Sequence, residues 1–519
     1  MFAELLLAVL LISAGPITVE GIYPNPTTPE DRGEFVLLDV PANATTAGLA
    51  LTDGEDTIPL AGLEKSGLVA VALDPGPAAA LTDANIYRTD SFLALSNAGE
   101  QIRLIRAAGS TSVRFPDAPE GELYRNGSFE PPARSSFDPL DSRNVTVRAT
   151  VLPDRPGPLQ SPFETAENRI LLAGYTITDP AVTAALIAAH RRNVTVRVLI
   201  EGGPVGGMPE TEVDQLLRLR AAGIPVSVMG TDHARYRYQH AKYAVVDGRA
   251  VVTSENWEPG GTGGHGSRGW AVVLEDPRVA ADLSRIFRVD TGFIDTPPWT
   301  VNRSIDTVAA DLDTRHYSSR FGSLTARAER VTVFAAPDNA GPAVAAMLAN
   351  ATTSIRVQQV SIQRPGRLLN ATLAAAERGV RVRILVSGAW YVERENRAFA
   401  AAIRARAVND SLPIEVRVAE PRSRYEKIHN KGVIVDGETV LVGSLNWNAN
   451  ARTENREIAV RIDDPAVATY FGRVFRADWR GAAWRVPWGL LAVAGLVVAL
   501  GVRYAASIAA FEPTDSRSY

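Results

Sequence analysis

An internal duplication is the feature that most constrains this chain. The segment 192–200 (RNVTVRVLI) recurs as 378–386 (RGVRVRILV), and each copy follows an alanine-rich helical pattern. A helix, a turn and a buried strand in the same order twice indicate two structural repeats. Alternating strands and helices in both copies predict the α/β class, with an α/β/α sandwich in each half. We place the halves at 143–295 and 328–482.

Each copy also contains the pattern H-x-K-x4-D. The two sets are His240, Lys242 and Asp247, and His429, Lys431 and Asp436. The chain has only six histidines in 519 residues. Two matches at equivalent places of a duplication are therefore not a coincidence, and the residues point to one shared site.

A second element follows each aspartate, at 253–257 (TSENW) and 443–447 (GSLNW). Alternate residues of an extended segment share a face, so the serine and the asparagine of each element point the same way. A hairpin is predicted around each aspartate, and the histidine and lysine, two apart on its first strand, also share a face. These candidate substrate-binding residues are Ser254, Asn256, Ser444 and Asn446.

Two histidines, two lysines and two asparagines suit chemistry at phosphorus. Imidazole is a nucleophile and a proton carrier near neutral pH. Ammonium and amide groups bind the non-bridging oxygens of a phosphate and stabilise the charge that develops on them. A pair of opposed histidines supplies a nucleophile and a general acid. The residues predict a two-step displacement at a phosphodiester through a phosphohistidine, with no metal and no cofactor.

These residues resemble the paired HKD motifs of the phospholipase D superfamily, in which both motifs form one active site between the halves. The resemblance implies that His240 is the nucleophile and His429 the general acid and base. It implies that both lysines and both asparagines bind phosphate, and that Asp247 and Asp436 orient their neighbours.

The superfamily also has an acidic residue downstream of each motif. It is present here as Glu457, which we group with the substrate-binding residues, but the first half has Gly269 at the matching place. The first half also has Thr253 where the superfamily usually has glycine. Both departures concern the first half alone.

Short strands separated by turn residues fill the range 19–115 and predict a small all-β sandwich. The segments 33–37 (GEFVL), 51–54 (LTDG) and 95–100 (LSNAGE) resemble the lamin-tail-like domain, an immunoglobulin-type sandwich. No acid–base or metal constellation stands out in this range, so we predict a binding or spacing role, with no partner specified. The range 116–142, rich in Pro, Gly, Ser and Arg, is interpreted as a linker.

Both ends of the chain are apolar. The run at 1–14 predicts a signal peptide, and the range 486–506 predicts one transmembrane helix. Together they predict a single-pass protein of the cell membrane whose catalytic body lies on the extracytoplasmic side.

Three functions compete at this stage. The first is a membrane-anchored phosphodiesterase that acts on phospholipid head groups by hydrolysis or phosphatidyl transfer. The second is a metal-independent nuclease, because 235–238 (RYRY) and 422–425 (RSRY) alternate basic and aromatic residues ahead of each histidine. The net charge of −4 does not suit a protein that coats nucleic acid generally. The third is a non-catalytic surface protein on a degenerate scaffold, suggested by Thr253 and Gly269.

Overall fold

The computed structural model describes residues 15–27, 33–91, 93–132, 134–230, 234–300, 307–309, 315–421, 423–481 and 488–509. Within the last range the side chains of 488–492, 494, 508 and 509 are not described. The predicted signal peptide at 1–14 lies outside the described residues.

Within its described residues the N-terminal module has ten strands and one short helix. Its elements are β1 (Thr18–Tyr23), β2 (Phe35–Val40), β3 (Ala50–Thr52), β4 (Thr57–Pro59), β5 (Gly67–Ala72), α1 (Pro75–Leu81), β6 (Asn85–Arg88), β7 (Gln101–Arg106), β8 (Gly109–Arg114), β9 (Leu123–Arg125) and β10 (Ser128–Glu130). They form a six-stranded sheet in the order β10-β9-β1-β2-β5-β6 and a four-stranded sheet in the order β4-β3-β7-β8. Alternate residues of the two sheets, such as Val36 and Val71 against Leu51 and Leu104, share one buried core.

The range 116–142 is not only a linker. It contains β9 and β10, which pair with each other. The pairing of β9 with β1, through Tyr124 and Ile22, adds both strands to the larger sheet. The strands β9 and β10 are too short to show the apolar alternation of longer strands. The composition of this range therefore predicts a linker. The lamin-tail-like identity of the module stays a prediction.

The first half of the body begins with a long strand and ends with a long helix. Its elements are β11 (Leu140–Leu152), α2 (Gly157–Glu164), β12 (Arg169–Gly174), α3 (Pro180–Arg191), β13 (Thr195–Glu201), β14 (Met208–Pro209), α4 (Glu210–Ala221), β15 (Val226–Met229), β16 (Tyr243–Val246), β17 (Arg249–Thr253), β18 (Gly269–Glu275) and α5 (Pro277–Thr291). A two-residue strand, β19 (Thr307–Val308), follows and pairs with β14.

The second half repeats this plan. Its elements are β20 (Leu324–Ala336), α6 (Ala340–Ala349), β21 (Ser354–Gln359), α7 (Arg367–Glu377), β22 (Arg381–Val386), α8 (Glu393–Asn409), β23 (Ile414–Val418), β24 (Gly432–Val435), β25 (Thr439–Gly443), α9 (Ala449–Thr453), β26 (Glu457–Asp463) and α10 (Pro465–Trp479).

A single 14-stranded sheet joins the halves. Its order is β15-β13-β12-β16-β17-β18-β11-β20-β26-β25-β24-β21-β22-β23, so equivalent strands lie at equal distances on either side of the centre. The central strands β11 and β20 pair antiparallel from Leu140 with Val333 to Ala149 with Leu324. Both parallel and antiparallel neighbours occur. The mixed α/β class predicted for the body is confirmed.

Matching Asp-Pro pairs start the last helix of each half. Asp276 accepts hydrogen bonds from the backbone N–H of Arg278 and Val279, and Asp464 accepts one from Val467. An N-cap aspartate followed by proline at the first helical position is a strong start signal, because proline has no N–H to leave unpaired.

The aspartates of the repeated motif are turn residues. Asp247 and Asp436 have φ angles of 53° and 55°, a left-handed conformation that aspartate tolerates better than most residues. Asp247 accepts hydrogen bonds from the backbone N–H groups of 167–169, and Asp436 accepts them from 352–354. Each aspartate therefore ties its hairpin turn to the start of the neighbouring strand.

Two buried arginines connect the halves. Arg456 pairs with Asp290 of the first half at 2.9 Å, and Arg268 pairs with Asp478 of the second half at 3.1 Å. Asp290 and Asp478 lie near the ends of the equivalent helices α5 and α10. Arg456 also pairs with Asp338 at 3.1 Å. Burial raises the cost of leaving any of these charges unpaired.

The last described helix is α11 (Trp488–Ala509), and it carries exposed apolar side chains such as Leu496 and Val498. Across the part of the chain that the structure describes, no helix is long and apolar enough to cross a membrane. The transmembrane helix predicted at 486–506 is thus not confirmed.

We expect Arg456→Met to lower the free energy of unfolding by about 3–5 kcal/mol, because the change leaves Asp290 and Asp338 buried without their cation. The matched control is Arg383→Met, which breaks an exposed pair with Glu415 and should cost less than about 1 kcal/mol. Urea titration of both variants measures the difference. Equal losses would contradict a role for the buried pair in joining the halves.

Candidate active site

Both histidines lie just before a hairpin, in extended segments that pair with the opposite half. The backbone N–H of His240 donates to the carbonyl of Arg456 at 2.9 Å, and that of His429 donates to the carbonyl of Arg268 at 3.1 Å. The pairing is parallel in both cases, between Gln239 and Arg456 and between Arg268 and Ile428. The two motifs therefore meet along the boundary between the halves, as the sequence predicts.

A buried carboxylate from the opposite half holds each imidazole. Nδ1 of His240 lies 2.9 Å from both carboxylate oxygens of Glu457. Nδ1 of His429 lies 3.3 Å from Oε2 of Glu255. Both carboxylates are fully buried, whereas the histidine side chains keep 13% and 19% exposure. The carboxylate of Glu457 at Nδ1 fixes the tautomer of His240 and leaves its Nε2 for chemistry. Glu255 faces His429 as an ion-pair contact without hydrogen-bond geometry, and Nζ of Lys431 lies 3.2 Å from Nδ1 and 3.1 Å from Nε2 of the same ring.

The two lysines are buried beside the histidines. Nζ of Lys242 donates to the carbonyl of His240 at 2.6 Å, and Nζ of Lys431 donates to that of His429 at 2.7 Å. Lys431 also reaches the first half, where it donates to the carbonyl of Ser254 at 3.1 Å. Both ammonium groups are thus held in place by backbone oxygens, ready to bind an anion.

Burial dominates the protonation of the site. It lowers the pKa of His240 to about 4 and that of His429 to about 3, although the facing carboxylates oppose the change. Burial also lowers the pKa of Lys431 to about 8 and that of Lys242 well below its usual value, and each lysine charge lowers the pKa of the histidine in the other half. Both imidazoles are therefore neutral at pH 7.

The carboxylates stay ionised in spite of burial. Burial alone would raise the pKa of Glu457 and of Glu255, but the facing histidine and the nearby lysine charges keep both pKa values below the usual one. The two carboxylates thus offset the positive charge of the two lysines within the site. The role of Glu457 is to hold His240, and its burial removes it from the set of residues predicted to touch substrate.

The predicted serines bond to the protein itself. The Ser254 hydroxyl donates to Oε1 of Glu255 at 3.0 Å and accepts from the backbone N–H of Trp270 at 3.1 Å. The Ser444 hydroxyl donates to the carbonyl of Ile458 at 3.3 Å. Both serines are completely buried, so they support the strands around the pocket and do not face a substrate.

The asparagines follow the buried serines at the end of each hairpin. Asn256 and Asn446 are both half-buried, and Oδ1 of Asn256 is buried without a hydrogen-bond partner. Next to them, Trp257 and Trp447 are buried in the cores of the first and second half. The phosphate-binding role of the asparagines stays a prediction.

The structure does not bring Asp247 and Asp436 to the pocket. They lie beyond the four-residue strands β16 and β24, at the opposite end from the histidines, and bond to backbone N–H groups. Their inclusion among the catalytic residues was therefore wrong: the motif repeats them because the hairpin turn needs them.

Two residues of the site escape the sequence analysis. Tyr175 follows β12, and its ring lies 5.1 Å from that of His240 and 5.2 Å from Nζ of Lys242. Nothing in its sequence context distinguishes it from a core aromatic. Glu255 could have been found from the sequence, since its counterpart in the second copy is the apolar Leu445. Across the described residues no group of three or more His, Asp or Glu could hold a metal ion.

The sequence is similar to a family model and to curated relatives. The family model described as "Cardiolipin synthase, PLD-like domain" matches residues 159–291 and 344–479. A mitochondrial cardiolipin hydrolase of Xenopus tropicalis is 33% identical over 113 residues, which are 22% of this chain and 49% of the relative. The Xenopus laevis protein of that name is 34% identical over 93 residues, 18% of this chain and 40% of the relative. The chain thus spans about half or less of these curated relatives.

Solved structures resemble the body. Phosphatidylserine synthase of Haemophilus influenzae matches with 14% identity and a TM-score of 0.48, over 64% of this chain and 84% of that structure. The Nuc protein of Salmonella typhimurium matches with 20% identity and a TM-score of 0.26, over 32% of this chain and all of that structure. The two ranges matched by the family model cover just over half of the sequence. The chain therefore belongs to the phospholipase D superfamily.

Proposed function

We propose that this protein is a phosphodiesterase that acts on phospholipids by two successive displacements at phosphorus. The observation that carries the proposal is the crossed arrangement of the pocket. Each half contributes a histidine and a lysine, and each histidine is held by a carboxylate of the other half.

In the first displacement, Nε2 of His240 attacks phosphorus and forms a P–N bond. The P–O bond to the leaving alcohol breaks, and the alcohol oxygen takes a proton from His429. In the second, water or an acceptor alcohol attacks phosphorus, its proton passes to His429, and the P–N bond breaks. Lys242 and Lys431 stabilise the negative charge on the non-bridging oxygens throughout.

The protonation states suit this sequence of steps. His240 is neutral at pH 7 and needs no deprotonation before it attacks. His429 must carry a proton when the leaving group departs, and the bound phosphate anion favours its protonated form. Glu255 supports the same form through its contact with Nδ1.

The rim of the site favours lipid. Trp390 is 88% exposed and Val205 is 75% exposed, at equivalent loops after β22 and β13. The loop of Val205 contacts Tyr175 beside His240, and the loop of Trp390 contacts Lys427, two residues before His429. The backbone N–H of Val205 donates to Tyr175, and the Tyr391 ring beside Trp390 lies 5.8 Å from Nζ of Lys427. Exposed tryptophan and aliphatic tips suit the interface of a bilayer.

Several of the residues that suggested a nuclease are structural, whereas Arg237 is 52% exposed and Tyr238 is half-buried with its ring 6.2 Å from that of Tyr175. Arg235 is buried in an ion pair with Asp295 at 2.8 Å. Tyr236 and Tyr425 are almost fully buried, and Arg424 is 4% exposed and pairs with Asp478. Buried side chains offer no surface for stacked bases or a phosphate backbone, and Arg422 lies outside the described residues. The relatives named cardiolipin hydrolase also support lipid.

The location at the cell membrane, with the body on the extracytoplasmic side, stays a prediction. It rests on the apolar ends of the sequence and on the exposed apolar side chains of α11. Membrane fractionation with protease accessibility tests it, and recovery of the full-length chain in the soluble fraction would contradict it.

His240→Ala and His429→Ala should each lower the turnover of cardiolipin-containing vesicles at least about 10³-fold in EDTA, because each removes a group that reacts or transfers a proton. His316→Ala is the matched control, since His316 is exposed and its ring packs against His265. Parallel assays with single-stranded DNA discriminate the substrates. Faster turnover of DNA than of every lipid tested would replace the lipid proposal by the nuclease.

We expect kcat to fall towards acid pH, because His240, whose pKa is about 4, is then protonated and loses the lone pair that attacks phosphorus. We expect the alkaline limb of kcat to report the loss of the proton that His429 carries in the substrate complex. Loss of charge from Lys431, whose pKa is about 8, lowers the rate further at high pH. Steady-state kinetics on a soluble phosphodiester measure both limbs. Glu457→Gln should move the acid limb to lower pH, because the carboxylate raises the pKa of His240; an unmoved limb would contradict this assignment.

Trp390→Ala should lower activity on vesicles about tenfold and leave activity on a soluble short-chain phosphodiester within about twofold, because the side chain contacts the bilayer and not the reacting group. Val408→Ala is the control, since Val408 is 79% exposed at the far end of α8. Equal loss on both substrates would argue against a membrane-facing rim.

A further inference from the structure

The two halves differ at the residue that should hold the opposite histidine. In the second half β26 begins with Glu457, which contacts His240. The equivalent strand β18 of the first half begins with Gly269. Both positions directly follow a buried arginine, Arg456 or Arg268, so their equivalence is secure. His429 therefore lacks the partner that the symmetry of the fold predicts for it.

Glu255 occupies the vacant space. A Cβ atom built on Gly269 would lie 2.1 Å from Oε1 of Glu255 and 2.5 Å from its Cδ. A side chain at 269 and the present position of the Glu255 carboxylate exclude each other, because real atoms do not approach so closely. Glu255 comes from the loop after β17, where the second half has the buried Leu445.

We propose that Glu255 is the positioning residue of His429, and that in this chain the carboxylate of the first half has moved from position 269 to position 255. Its target is unchanged: Oε2 lies 3.3 Å from Nδ1 of His429. The inference rests on the proposed phosphodiesterase activity and explains how both histidines can serve it.

Neighbouring residues hold the relocated carboxylate. The Ser254 hydroxyl donates to Oε1 at 3.0 Å, and the backbone N–H of Glu255 donates to the Thr253 hydroxyl at 3.1 Å. Thr253 and Gly269 are the two departures that suggested a degenerate scaffold. Both support Glu255: the threonine anchors its loop, and the glycine leaves room for its side chain.

A purely structural role does not explain the contacts. A fully buried carboxylate is costly unless it is paired, and a leucine already fills the equivalent position in the second half. The ionisable groups that interact with Glu255 include His429, Lys431, Lys242, Glu258, Lys427 and Tyr391. Among these, His429 makes the direct contact at Nδ1 and carries the proton in the proposed reaction.

The test is to move the carboxylate back. Glu255→Leu should lower kcat about 10²- to 10³-fold with little change in KM, because it removes a group that supports proton transfer and not substrate binding. The double variant Glu255→Leu with Gly269→Glu recreates the Leu445 and Glu457 combination that the second half already accommodates. It should recover at least about tenfold of the lost kcat.

A pH profile separates positioning from packing. The isosteric Glu255→Gln keeps the shape of the side chain and removes its charge, so the protonated form of His429 loses support and its pKa falls. We expect the alkaline limb of kcat to move to lower pH in this variant and to return in the double variant. Glu415→Gln, a change in an exposed ion pair, is the control that should alter neither limb.

The outcomes distinguish this inference from the proposed function. A wild-type protein that turns over no phosphodiester contradicts the proposed function itself. An active wild type together with a fully active Glu255→Gln and an unmoved pH profile overturns the role of Glu255. A folded double variant, verified by its thermal unfolding, that is no more active than Glu255→Leu overturns the relocation.

Discussion

The pocket depends on one reciprocal contact, a neutral imidazole in one half held at Nδ1 by a buried carboxylate of the other. Because the contact runs in both directions, neither half contains a complete site. His240 needs Glu457 and His429 needs Glu255. Burial raises the pKa of these carboxylates, and the facing histidines, the lysines and the hydroxyls of Ser254 and Ser444 lower it below the usual value. The contacts that orient the reacting histidines therefore all cross from one half to the other.

The remainder of the body keeps these contacts in register. The antiparallel pairing of β11 with β20 makes one sheet of both halves, so equivalent strands are related across its centre. Directly beside the two carboxylate-bearing positions, Arg268 and Arg456 form buried ion pairs with the opposite half. A rotation of one half against the other would break charged contacts on both sides at once, which opposes any loosening of the pocket.

Much of the site could be predicted from the sequence, because duplication turns a weak local pattern into a strong one. The repeated histidines and lysines were placed correctly at the boundary of the halves. The aspartates were misassigned since a repeat preserves turn residues as faithfully as reacting ones. The alternation of arginines and tyrosines did not reveal which of these side chains are buried: Arg235 and Arg424 are, whereas Arg237 is exposed. Glu255 was missed although its counterpart is the apolar Leu445, because only the structure shows that Gly269 leaves the space in which its carboxylate lies.

The exchange between positions 255 and 269 has a consequence for how such a site can change over time. In an assembly of two identical chains, every substitution appears in both copies, so a carboxylate could not leave one position in one subunit only. Covalent fusion of the repeats removes that restriction: one copy keeps Leu445 with Glu457 while the other carries Glu255 with Gly269. The two histidines of one site can then acquire different surroundings. One can specialise for attack on phosphorus and the other for proton transfer.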